Sequence, residues 1–172
     1  MTLRSFVEDS IPREKLEGLA LPAEVSTLLR EPPLNSAWIP EVSTWATLLA
    51  IRDLLGFDDG AWLAWFEPRN RQALTNPVLR LVMNFSSPEV LLPLSQAYWA
   101  MTHKGSKLTI VERASHALTL ALEYPPGLFD REVASTLTVS FSVPLRLSRA
   151  RSATVTLKSW APTHSMFQAE WE

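Results

Sequence analysis

A chain of 172 residues, 47% hydrophobic and with a net charge of −2, is long enough for one domain of ordinary size and carries no basic field to draw it to nucleic acid. It has no cysteine, which excludes disulfides, thiolate catalysis, cysteine-based zinc sites and iron–sulfur clusters. Its five glycines are too scattered for a phosphate-cradling loop, whereas seven tryptophans suit a core, a pocket wall or an interface. The first residues show no charged stretch leading into an apolar one, and no apolar run approaches the ~20 residues of a membrane span. The expectation is a cytoplasmic protein without a membrane span.

Residues 1–35 read as an N-terminal extension and residues 36–172 as the domain. In the extension, Leu3, Phe6 and Val7 can face inward from a short helix that ends before Pro12. A second short helix fits residues 23–30, after Pro22, and Pro32 and Pro33 make the following stretch an extended linker. Residues 38–56 then predict a helix. Pro40 and Glu41 suit its first turn, Val42, Trp45, Leu48, Leu49 and Leu55 supply an apolar face, and Gly56 can close it. Asp58 can cap a further helix carrying Trp62, Leu63, Trp65 and Phe66, which Pro68 ends or bends. A third helical stretch, near residues 71–85, is interrupted at Pro77.

Residues 86–124 organise the rest of the chain. Ser87 suits an N-cap, Pro88 the first helical position, and Ser86 and Glu89 stand at capping-box spacing. Val90, Leu91, Leu94, Ala97, Tyr98 and Met101 recur at helical intervals and predict one apolar face. Pro93 inside this stretch either kinks the helix or starts its regular part. Gly105 can supply a left-handed closing residue, and residues 107–113 and 116–124 alternate as the strands of a tight hairpin.

Residues 130–147 carry two periods at once. Val133, Leu137, Val139, Phe141, Val143, Leu145 and Leu147 alternate with polar residues as in a strand, yet Val133, Leu137, Phe141 and Leu145 stand four apart as on a helix. The run exceeds the usual strand length. Residues 153–159 alternate as a strand, and residues 166–171 can pair with them antiparallel across a turn near Pro162.

The stretch SPEVLLPLSQAYWAMTHKG, followed by two strands, resembles a bacterial family related to the V4R and haem-NO-binding-associated superfamily. That superfamily is a ligand-binding fold shared by NO-signalling and Golgi-transport proteins. The matching positions are Ser87, Pro88, Glu89, Trp99, His103 and Gly105; WIPEVSTWATLLAIRDLLG resembles the first core helix, and the strand ending at Trp171 the C-terminal edge. The likeness spans roughly residues 36–172. It implies helix–hairpin–helix–hairpin for the C-terminal half, hence a helix over 130–147, and a dimer through helices. Many relatives carry Cys or His near the C-terminal hairpin, and the absence of cysteine here departs from that pattern.

The remaining constellations favour structure over chemistry. His103, His116 and His164 show no metal-ligand spacing, and His103 stands where an imidazole can cap a helix end. Asp58 and Asp59 are better explained by an N-cap and an acidic first turn than by an acid/base pair. The serines lack any nucleophile motif. Arg146, Arg149, Arg151 and Lys158 lie in a stretch free of acids, which suits a helix C-terminus and a solvated loop as well as an anionic partner.

The expectation is therefore an α+β fold, with N-terminal helices packed on an antiparallel sheet of two hairpins and a helix between the hairpins. The expected role is a non-catalytic regulatory or sensor-like domain that binds a small apolar ligand or a protein partner. Trp45, Trp99, Leu118, Leu120 and Phe141 would be its pocket walls. A homodimer through helices is the expected self-association, and no cofactor or metal is expected. The alternative is an adaptor or immunity-type interaction module without a pocket.

Overall fold

The computed structural model describes residues 3–7, 11, 21–34, 37–73, 83 and 86–172. The chain gathers into two compact units, Met1–Arg69 and Asn70–Glu172. The first holds α1 (Leu3–Val7), α2 (Ala23–Arg30), α3 (Glu41–Leu55) and most of α4 (Asp59–Ala73). The second holds α5 (Pro88–Thr102), β1 (Lys107–Ala114), β2 (Ala117–Glu123), α6 (Arg131–Arg146), β3 (Ala153–Ala161) and β4 (His164–Trp171).

In the first unit α1 and α2 both pack on α3. Leu3, Phe6, Val7, Val25 and Leu29, all from the expected extension, are buried. Pro40 precedes α3, and Gly56 closes it at φ 65°, a left-handed conformation that glycine adopts without a Cβ clash. Asp58 Oδ1 accepts the Ala61 amide at 2.8 Å, as an N-cap should. Asp59 pairs instead with Arg52 Nη2 at 2.5 Å, so the two adjacent carboxylates have separate structural duties. Pro68 lies within α4, which continues past it to Ala73. Val42 faces solvent rather than the core; Ser43, Trp45, Thr47, Leu48 and Ile51 are the buried residues of α3. The core is an aromatic cluster, with the Phe66 ring 5.1 Å from Phe6, 5.6 Å from Trp62 and 6.2 Å from Trp45. Residues 74–82, 84 and 85, most of the expected third helical stretch, lie outside the described residues.

The second unit is one antiparallel sheet in the order β1-β2-β4-β3. Both expected hairpins form, with Ile110 opposite Leu120 in the first and Leu157 opposite Phe167 in the second. Leu120 opposite Phe167 joins them through β2 and β4. Residues 130–147 resolve as helix: Asp130 Oδ1 accepts the Val133 amide at 2.7 Å, and α6 runs unbroken through Pro144. It packs on β3 and β4, while α5 packs on β1 and on α6. Gln96 Nε2 of α5 donates to the Leu108 carbonyl at 3.3 Å, and Arg146 Nε of α6 to the Ala153 carbonyl at 3.1 Å. Each outer strand thus has a backbone acceptor held by a helix side chain.

The helix α5 departs most from expectation. It runs continuously through Pro93. The residues expected to share one apolar face divide. Leu91 is buried together with Trp99, whereas Val90, Leu94, Tyr98 and Met101 point into solvent. Periodicity identified residues that share a face, but that face is turned outward.

Candidate functional site

The strongest concentration of apolar side chains in the second unit lies between its helices and the inner sheet face. Alternation along β2 turns Leu118, Leu120 and Leu122 to one side, and the register places Phe167 beside Leu120 on the same side. The Phe141 ring of α6 stands edge-on to Phe167 at 5.0 Å and tilted to Trp99 of α5 at 5.7 Å. Four of the five sequence-selected residues, Trp99, Leu118, Leu120 and Phe141, therefore belong to this unit's interior. The fifth, Trp45, belongs to the aromatic core of the first unit, stacked on Phe66.

His103 follows α5 as its C-cap. Its imidazole lies flat against the Trp99 indole, with ring centroids 3.6 Å apart and planes 2° apart. Thr102 Oγ1 is 2.9 Å from His103 Nδ1 and 2.7 Å from the Tyr98 carbonyl. The hydroxyl has one proton, and the carbonyl can only accept it, so Nδ1 must carry a hydrogen and donate to the hydroxyl. Burial pulls the imidazole down to about 4, opposed in part by hydrogen bonding to the Trp99 backbone. The ring is therefore neutral at physiological pH and is not the charged helix cap that its position suggested.

A groove of about 770 Å³ opens elsewhere, on the sheet face away from the helices. Ala121 and Met166 are among the residues lining it, together with Lys107, Glu123 and His164. These last three stand in one cross-strand row, Lys107 opposite Glu123 and Glu123 opposite His164. Sequence reading missed this row. Its only signal was the outward phase of three separate strands, which means nothing until their register is known. Nearby, the Tyr124 hydroxyl is 2.7 Å from Ser165 Oγ and 3.0 Å from the Ala161 carbonyl, which satisfies the fully buried serine. Among the described residues, no group of three or more His, Asp or Glu side chains is placed to hold a metal ion.

No family model matches this chain, and no curated protein does. Solved structures do. The Fe(II) unliganded H-NOX protein from K. algicida matches with a TM-score of 0.57 at 11% identity, over 100% of this chain and 97% of that one. The IWP-051-bound H-NOX from Shewanella woodyi, in its Fe(II)CO state, matches with a TM-score of 0.55 at 12% identity, over 99% and 94%. An oxygen-binding H-NOX domain related to soluble guanylate cyclases, solved as its oxygen complex, matches with a TM-score of 0.51 at 10% identity, over 99% and 89%. At such identities the likeness is one of fold: this chain is an α+β protein of H-NOX-like architecture.

Those neighbours raise the question of haem. Iron in haem takes an imidazole, thiolate, thioether or phenolate ligand, and the macrocycle needs a flat apolar slot around it. This chain has no thiolate. His116 and His164 are exposed at the two hairpin turns, and the Tyr124 phenol is committed to Ser165 and Ala161. His103 has the right neutral state, and with Nδ1 held by Thr102 its Nε2 would be the ligating atom, so what decides the question is whether a slot lies beside it. The inward side of α5 is filled by Trp99, Phe141 and Phe167, and its outward side is solvent. Among the described residues of this unit the ligand and the slot do not coincide, so they do not fit haem.

Proposed function

We propose that this chain is a non-catalytic, sensor-like regulatory domain that responds to a small apolar ligand or a protein partner. The observation that supports it is the match of nearly the whole chain to several H-NOX domains, in one of which the fold holds an oxygen ligand. What transfers in this reading is a fold that couples an occupant to helices on a sheet, without the iron. Trp99, Leu118, Leu120 and Phe141 are the proposed walls in the second unit; they already pack on one another and on Phe167, so a ligand would enter by displacing that packing rather than by filling an open cavity. Trp45 is the proposed apolar contact in the first unit. A protein partner would engage the helical surface.

Native mass spectrometry of the chain purified from its own cell tests this. The expected result is a retained small molecule that is lost when Trp99→Ala opens the wall. Added hemin should give no absorption band that His103→Ala abolishes. A chain that carries no ligand and takes up none sinks the ligand reading. The second reading, an adaptor or immunity-type module, is favoured by how completely Phe167, Leu118 and Leu120 are already covered.

A further inference from the structure

Lys107, Glu123 and His164 stand side by side on β1, β2 and β4, on the sheet face away from the helices, and line the groove of about 770 Å³. Neighbouring strands lie about 4.8 Å apart, so an ammonium, a carboxylate and an imidazole are set in that order across roughly 10 Å. Lys107 and Glu123 are direct cross-strand partners, the arrangement in which unlike charges usually pair. Yet none of the three side chains makes an ion pair or a hydrogen bond with a described residue.

The order of these groups selects the ligand. A pure anion would meet Glu123 in the middle of the row, and a pure amine would meet Lys107 beside it. A molecule with both charges on neighbouring atoms satisfies the two at once, its carboxylate over Lys107 and its ammonium over Glu123. Ser106 strengthens the first position. Its Oγ accepts from Trp99 Nε1 at 3.1 Å, so its own proton is left to donate to a carboxylate. His164, on the far side of Glu123, offers a ring nitrogen to the ammonium. One row further along the sheet, roughly 7 Å away, Ala121 stands opposite Met166. Ala121 is small and buried, and the Met166 thioether beside it is adaptable, so this part of the floor can receive an apolar side chain.

We propose that this groove is a binding site for a free α-amino acid with an apolar side chain, held by its own two charges across β1 and β2. It lies on the opposite side of the sheet from the interior walls described above, and it stands whether or not that interior takes a ligand.

Methyl NMR of the full chain reads the site directly, because there are four methionines and one of them lines the groove. Adding L-leucine or L-phenylalanine should move the Met166 methyl resonance saturably, with Met166→Leu supplying its assignment. Lys107→Met and Glu123→Gln should each weaken binding by about 10- to 100-fold, as expected for the loss of a charge-assisted contact. Both residues are exposed, so the rest of the methyl spectrum should stay unchanged in the two variants. Isocaproate and isoamylamine keep the leucine side chain with one charge each, and both should bind more weakly than leucine by a similar factor. A Met166 resonance that neither amino acid moves overturns the proposal. So does binding that isocaproate or isoamylamine matches, or binding that Glu123→Gln leaves intact.

Discussion

The two units solve the same problem with different materials. In Met1–Arg69, helices converge on rings that pack against other rings: Phe6, Trp45, Trp62, Trp65 and Phe66 touch in an unbroken series. In Asn70–Glu172, a sheet supplies rows of leucines by alternation, and three rings from α5, α6 and β4 stack over them. Each unit also buries an ionisable group toward its neutral form, a carboxyl in the first and an imidazole in the second. Burial raises Glu41 to about 7, with a bond from Trp45 pulling the other way. Burial lowers His103 to about 4. The lesson is that acid and base should strain different halves of the molecule.

The largest expected effect breaks the packing of one half at a time. Phe66→Ala removes a fully buried ring at the meeting point of three others and should cost about 4 kcal/mol in urea unfolding. Phe167→Ala should cost a similar amount through the sheet. Hydrogen exchange should show lost protection centred on residues 37–73 for the first and on 107–171 for the second. Uniform loss in both would mean that the two units do not respond as separate bodies.

The pH comparison comes next. Between about pH 4.5 and 7 the folded chain holds a proton on Glu41 that the unfolded chain releases, so this contribution to stability declines as pH rises through that window. Glu41→Gln should therefore stabilise the protein by about 2 kcal/mol at pH 8 and change little at pH 4.5. His103 runs the other way. The unfolded chain takes up a proton near 6.5 that the folded chain refuses until about 4, so stability declines as pH falls through that window. His103→Gln should flatten the acid limb by about 2 kcal/mol between pH 7 and 4. Matched slopes in wild type and variants would remove the contrast between the halves.

The smallest effects concern helix starts. Asp58→Ala and Asp130→Ala each remove a side-chain acceptor from a first-turn amide, and each should cost about 1 kcal/mol. Asp130 is the partly buried bond, so its loss should be the greater of the two. An Asp58→Ala variant that loses more would reverse that ranking.

Local punctuation was legible in the sequence because its cause is local. Asp58, Gly56 and Pro88 act on their own few residues, and the two hairpins follow from short turns between alternating runs; Gly105, expected to close α5, instead has its positive φ in the turn beyond the His103 C-cap. Residues 130–147 were ambiguous because residues two apart and four apart coincide in Val133, Leu137, Phe141 and Leu145. What decided the matter is tertiary: α6 lies on β3 and β4 and buries a broad face that includes Ala134, Thr136 and Ser142 along with the aliphatics. The outward turn of α5 was not legible, since spacing reveals which residues share a face and not where that face looks. The groove row of Lys107, Glu123 and His164 was illegible for a related reason, being assembled from three strands by pairing alone. Of the proposed wall residues, sequence chose apolar side chains that the fold brings inside, but it could not say that Trp45 would sit among the rings of the other unit.

The two helix side chains that reach the outer strands also bear on how this protein behaves at high concentration. A sheet margin with unclaimed carbonyls can recruit extended polypeptide and seed fibrils. Here Gln96 occupies an acceptor near the start of β1, and Arg146 occupies one at the start of β3, so an incoming chain must first displace a glutamine or a guanidinium to gain a foothold there. Both margins of the four-stranded layer therefore carry one claimed carbonyl each.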